Sequence, residues 1–120
     1  MRDHPLPDPS CVEEVTPMDV AAWLASGDET APVVIDCREA DELEICRIAG
    51  ARWIPLGDFP SALDSLREHA HRGVVVSCHH GMRSLRAARF LRQHGIDRAF
   101  SMAGGIDAWS QLIDPEVSRY

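Results

Sequence analysis

The 120-residue sequence contains no lysine: its 12 basic residues are all arginine, set against 19 acidic ones for a formal charge of −7. No basic stretch stands out, and neutralising a nucleic-acid backbone needs clustered positive charge, so no nucleic-acid partner is expected. Net charge says little about a small anionic substrate, which responds to local charge. No window approaches the roughly 18 apolar residues of a membrane span, so no membrane partner is expected either. Residues 1–10 carry Pro5, Pro7 and Pro9 but no apolar h-region, which excludes a secretory signal. The expected compartment is the cytoplasm, where thiols stay reduced. The four cysteines, Cys11, Cys37, Cys46 and Cys78, have no CxxC spacing, so neither a zinc ribbon nor a thioredoxin-type pair is indicated.

What is present suits one domain with a real core: the length is typical, and 45% of residues are hydrophobic. Residues 1–11 read as a flexible leader, 12–113 as the domain and 114–120 as a C-terminal tail. Within the domain, 12–15 suggests a short strand, and Thr16-Pro17 a helix start, with threonine as N-cap and proline at the first helical position. That helix should stop at Ser26-Gly27. The run 32–36 and the run 74–77 are continuous β-branched stretches, the pattern of strands buried on both faces of a parallel sheet. Shorter strands are expected at 52–54 and 99–101. Helices are expected over 39–46, over 59–69, from Ser84 to Gly95 on an inner stripe of Leu85, Ala88 and Leu91, and from Gly104-Gly105 through Leu112. Arg83, Arg86, Arg89 and Arg92 repeat every three residues, and the stripe from Arg86 to Arg92 reads as a solvated face, with Arg86 the one placed to steer anions. Alternating strands and helices predict an open α/β domain with helices on both sides of a mostly parallel sheet.

The loop Cys78-His79-His80-Gly81-Met82-Arg83 joins the 74–77 strand to the helix after it. Ligands of such sheets bind beyond the carboxyl ends of the strands, so Cys78 stands where chemistry is expected. A tight loop before a helix can turn several N–H groups inward as a nest, and the helix N-terminus adds partial positive charge. Both lower a thiol pKa and stabilise the anion that the sulfur becomes. Gly81 permits the tight curvature, and the Arg83 guanidinium suits an incoming oxyanion. His79 and His80 stand open between substrate contact and simple surface. Metal binding is not expected, because one cysteine and two adjacent histidines converge poorly on one ion. Cys37 and Cys46 read as small buried hydrophobes and Cys11 as incidental. Asp36 and Arg38, at a strand end, read as a pair that supports the loop from behind.

Four ordered motifs carry a family resemblance. Cys78-His79-His80-Gly81-Met82-Arg83-Ser84 resembles the C-x-x-G-x-R-S loop of rhodanese domains. Asp36-Cys37-Arg38-Glu39 with Glu42 and Glu44 is similar to their D-x-R-E…E segment. Ile48-Ala49-Gly50-Ala51…Ile54-Pro55-Leu56 resembles I-x-G-A…I-P-L, and Met102 to Trp109 resembles L-x-G-G-I-x-A-W. The resemblance implies a three-layer α/β/α fold on a five-stranded sheet of order 1-5-4-2-3. It implies a sulfurtransferase without cofactor, in which Cys78 carries a persulfide loaded from thiosulfate or another small anionic sulfur donor. The acceptor would be a thiol, cyanide or a sulfur-carrier protein. His79, His80, Gly81, Met82, Arg83 and Ser84 are then the expected substrate-binding loop. Residues 114–120 resemble tails of rhodanese domains fused to E1-like activating enzymes, which suggests a comparable relay acting in trans.

Three rival functions compete with sulfur transfer. A phosphatase or arsenate reductase of related design needs C-x5-R, whereas Arg83 is the fifth residue after Cys78, one too early. Non-catalytic rhodanese-like binding modules often lack the cysteine, and its retention here with a glycine and an arginine around it favours activity. Redox sensing through Cys78 ranks last, because no resolving cysteine is adjacent in sequence.

Overall fold

A computed structural model describes residues 5–26 and 31–120. Five strands, β1 (Glu14–Val15), β2 (Val33–Asp36), β3 (Arg52–Trp53), β4 (Val74–Ser77) and β5 (Ala99–Met102), form one sheet in the order β1-β5-β4-β2-β3. All four pairings are parallel. Every residue of β2, β4 and β5 is buried, as the β-branched runs of β2 and β4 suggest. The helices are α1 (Pro17–Ser26), α2 (Ala40–Ile45), α3 (Phe59–Arg67), α4 (Met82–Gln93) and α5 (Gly105–Leu112), with a 3-10 turn at Leu56–Asp58.

Period-two alternation along the strands divides the core in two. Val33, Ile35 and Cys37 share one face with Val74, Val76 and Cys78, under Phe59 and Leu66 of α3 and Ala87, Ala88 and Leu91 of α4. Val34, Val75 and Phe100 face the other way, against Val20 and Trp23 of α1 and Ile106 and Trp109 of α5. The three-layer α/β/α fold expected from the sequence is therefore present, with the sheet parallel throughout.

Local chemistry sets the helix ends. Thr16 caps α1: its Oγ1 accepts from the Asp19 N–H at 3.1 Å, and Asp19 Oδ2 accepts from the Thr16 N–H at 3.1 Å. Gly27, the expected stop, lies outside the described residues. Helix α4 starts at Met82 and not at Ser84, because Gly81 adopts φ 106° and closes the turn early. Its inner face is correspondingly Ser84, Ala87, Ala88 and Leu91, with Leu85 only half-buried. The arginine row is not a simple solvated face. Arg92 donates to the carbonyls of Pro9, Val12 and Ala99 at 2.8 Å each, tying the segment before β1 to the sheet. Arg89 pairs with Glu13 at 2.7 Å.

Helix α5 holds the cysteine loop in place. Its first free N–H groups need acceptors, and they find them in the loop: Ile106 N donates to the Cys78 carbonyl at 2.8 Å and Asp107 N to that of His79 at 3.1 Å. Such close approach requires Gly105, at φ 59°, where a Cβ would overlap both carbonyl groups. Gly105→Ala is therefore expected to cost more than about 2 kcal/mol of stability. Urea denaturation reads this directly, and a change within about 0.5 kcal/mol would contradict the account.

Candidate active site

Strand β4 ends at Ser77 and delivers Cys78 into the loop with its side chain in the interior: the residue is only 1% exposed. Among the described residues, four groups act on its sulfur. The Gly81 N–H reaches Sγ at 3.1 Å and the Ser84 N–H at 3.4 Å, the nest that the loop composition suggested. Ser84 Oγ lies 3.4 Å from Sγ, and Ser101 Oγ lies 2.6 Å from Ser84 Oγ. With sulfur as the anion, the Ser101 hydroxyl donates to Ser84 and the Ser84 hydroxyl to Cys78, a short relay aimed at the charge. The fourth group is the Cys37 thiol.

Together these hold the Cys78 thiol pKa down at about 4. The Cys37 thiol is the largest cause, followed by the Ser84 hydroxyl and the Ser84 and Gly81 N–H groups, which overcome the opposing effect of burial. The Cys37 pKa moves strongly upward, because it donates toward an anion in a buried site. The pair thus holds one proton, on Cys37. Cys37 is buried as expected, but it is not inert packing.

Arg83 stands in the first turn of α4 and reaches across to α2. Its Nη1 and Nη2 meet Glu42 Oε1 and Oε2 at 2.5 and 2.9 Å, a bidentate pair. Glu42 also accepts from the Glu39 N–H at 3.1 Å and from the Tyr120 hydroxyl at 2.6 Å. The Arg83 bond foremost, with the other two, holds the Glu42 carboxyl down at about 2. Asp36 and Arg38 form a buried pair at 2.7 Å. Arg38, 0% exposed, donates to the carbonyls of Cys46 at 2.7 Å and Glu42 at 3.3 Å, and to Tyr120 Oη at 2.9 Å. It fixes the turn from β2 into α2, and it reaches the cysteine loop through Glu42 and Arg83 and through Tyr120, which stacks on His79.

The remaining loop residues separate. His79 is half-buried and stacked on Tyr120, with centroids 3.8 Å apart and planes 5° apart. Its Nε2 is buried and has no hydrogen-bond partner among the described residues. His80 is exposed, its Nε2 3.9 Å from Asp107 Oδ2. Met82 stands 71% exposed at the start of α4. The ligand atoms of His79, His80 and Asp107 lie within 4.8 Å of one another, a grouping that consideration of the two histidines with Cys78 did not anticipate. Asp107 already accepts from Arg119 at 2.9 Å and Gln111 at 3.0 Å.

Ser101, Glu42 and Tyr120 were not among the expected site residues. Glu42 had a signal in the D-x-R-E…E segment. Tyr120 lies in residues 114–120, read as a tail, and nothing in the sequence pairs it with residues 78 positions earlier.

A low thiol pKa has a direct readout. The thiolate absorbance of wild type minus that of Cys78→Ser should persist from neutral pH downward and disappear with a midpoint near pH 4. A midpoint near the ordinary thiol value of about 8.5 would contradict the assignment.

Comparison with known proteins places this architecture. The family model described as "Rhodanese-like domain" matches residues 16–112. The chain is 33% identical over 110 residues to thiosulfate sulfurtransferase GlpE of Actinobacillus succinogenes, covering 89% of this chain and 92% of that protein. It is 32% identical over 106 residues to the probable adenylyltransferase/sulfurtransferase MoeZ of Mycobacterium tuberculosis, covering 88% of this chain but 26% of the relative. The chain thus spans about a quarter of that longer relative. Among solved structures, human single-domain sulfurtransferase TSTD1 superposes with a TM-score of 0.70 at 25% identity, over 84% of this chain and 97% of that one. A Rhodopseudomonas palustris protein described as a possible tyrosine phosphatase gives 0.75 at 26% identity, over 85% and 82%. By its matched length, its motifs and its sheet order, the chain belongs to the rhodanese-like domain family.

Proposed function

We propose that the protein is a sulfurtransferase that carries sulfane sulfur as a persulfide on Cys78. The observation that carries this reading is a buried cysteine sulfur met by two backbone N–H groups and a hydroxyl. A thiolate at neutral pH is a nucleophile. It attacks the outer sulfur of a donor such as thiosulfate; the donor S–S bond breaks, and sulfite leaves with the electron pair. The same N–H groups then stabilise the persulfide. An acceptor thiolate or cyanide attacks its outer sulfur, and Cys78 departs as the thiolate, a good leaving group because its pKa is low. The names of the sulfurtransferase relatives support the reaction class, and GlpE supports thiosulfate as a donor. A sulfur-carrier protein as acceptor draws support from the longer relatives, described as adenylyltransferase and sulfurtransferase.

In this reading Gly81 and Ser84 hold the charge. Arg83 has both terminal nitrogens on Glu42, so its task is to anchor the loop to α2. His79 and His80 line the way past the loop, and Met82 offers an exposed apolar contact to an acceptor.

The resemblance to a structure described as a possible tyrosine phosphatase favours a second reading. It is opposed by loop length: Arg83 is the fifth residue after Cys78, so the nest encloses a sulfur atom and leaves less room for a tetrahedral phosphate.

Steady-state assays test both. Cys78→Ser should abolish sulfur transfer from every donor, while wild type hydrolyses no aryl phosphate. Phosphate hydrolysis without sulfur transfer would reverse the assignment. Arg83→Ala should lose about tenfold in kcat/KM, roughly 1.4 kcal/mol, with anionic and neutral donors alike. A loss confined to anionic donors would instead make Arg83 the oxyanion contact.

A further inference from the structure

The second thiol beside Cys78 helps to hold the thiolate but carries no sulfur in the transfer just described. Asp36 and Ser77 are register partners in the neighbouring parallel strands β2 and β4. The ladder continues one step further, with Cys37 N donating to the Ser77 carbonyl at 2.9 Å. Cys37 and Cys78 therefore leave adjacent strands at the same level, and both side chains lie in the same buried cluster. Neighbouring strands are about 4.7–4.9 Å apart, inside the Cα separation of about 4.4–6.8 Å that a disulfide spans. The resolving cysteine missing from the neighbourhood of Cys78 in sequence is supplied across the sheet, 41 residues earlier.

We propose that Cys37 and Cys78 form a redox-active dithiol, in which Cys37 closes a disulfide onto Cys78 after a hydroperoxide has oxidised it. The proposal needs Cys78 to be the reactive thiolate, which it shares with the preceding reading, but it does not need sulfur transfer. The Cys78 thiolate attacks the terminal oxygen of the hydroperoxide. The O–O bond breaks, the alkoxide or hydroxide leaves with the electron pair, and Cys78 becomes a sulfenic acid. Cys37 then loses its proton, its sulfur attacks Cys78 Sγ, the S–O bond breaks, and hydroxide leaves with that proton as water. The two thiols supply the two electrons that reduce the peroxide. An external dithiol returns them by thiol–disulfide exchange.

The local electrostatics give this second thiol a condition for acting. In the resting site Cys37 is held protonated chiefly by Cys78, as hydrogen-bond partner and as neighbouring charge, with burial contributing. A sulfenic acid is uncharged, so its formation removes that restraint and frees the Cys37 thiol to ionise. A persulfide keeps its negative charge beside Cys37, so the sulfur-loaded enzyme leaves the second thiol silent. Disulfide closure also stops oxidation of Cys78 before the irreversible sulfinic stage.

The test is peptide mass spectrometry without reductant, on protein treated with three equivalents of hydrogen peroxide, because a sulfinic acid consumes two. Wild type should lose about 2 Da and yield a linked Cys37–Cys78 peptide that a dithiol separates. Cys37→Ala and Cys37→Ser should instead gain about 32 Da as a sulfinic acid that a dithiol does not reverse, at least roughly tenfold faster than wild type. A wild-type protein that reaches the sulfinic acid as fast as both variants, or that links Cys78 to Cys11 or Cys46, overturns the proposal. Thiosulfate loading is scored on the same untreated wild-type preparation. Protein that forms the disulfide but takes no sulfur refutes sulfur transfer alone, and protein that takes sulfur but forms no disulfide refutes the dithiol alone.

Discussion

A sulfur anion in the interior of a small domain is expensive unless polar groups replace the water it has lost. The arrangement around Cys78 can be read as the solution to that one constraint. Strand β4 places the sulfur at the end of a buried run, and the turn at Gly81 brings two N–H groups back onto it. Those donors stay aimed because α5 binds the loop from the other side, through the carbonyls of Cys78 and His79. The loop's N–H groups thus face the sulfur while two of its C=O groups are taken by a second helix. Removing either set would leave the charge or the backbone unsatisfied.

A second layer of charge fixes the loop from its flank. Arg83, Glu42, Tyr120 and Arg38 form a connected set running from α4 to α2, to the end of the chain and back to the buried pair with Asp36. The bidentate geometry matters more than the charge count, because it defines where the first turn of α4 sits relative to α2. It also means that the most conspicuous cation near the site is already paired. The field that acts on the sulfur comes mainly from hydrogen bonds and the neighbouring thiol.

Much of this was legible in the sequence because it is local. The buried strands at 33–36 and 74–77, the cap at Thr16-Pro17 and the position of Cys78 after a strand each follow from a few consecutive residues. Gly81 was legible as a turn, although its left-handed backbone starts α4 two residues before Ser84, and so puts the Ser84 N–H and hydroxyl on the sulfur. The partners across the sheet were not legible. Cys37 read as a small hydrophobe because its burial is local information, whereas its place beside Cys78 depends on the register of β2 against β4. Ser101 depends likewise on β5 against β4. Tyr120 looked like part of a tail because no periodicity or cap marks a side chain that docks by stacking on His79 and bonding to Glu42.

The central claim is that sulfur passes through Cys78 and does not move directly from donor to acceptor. Thiosulfate labelled in its outer sulfur, mixed with the protein and then removed, tests this without turnover. The account predicts close to one equivalent of label held by wild type on the Cys78 peptide, all of it released as thiocyanate when cyanide is added. Thiocyanate formed only while donor and acceptor are present together, with no label on the protein at any stage, would contradict it.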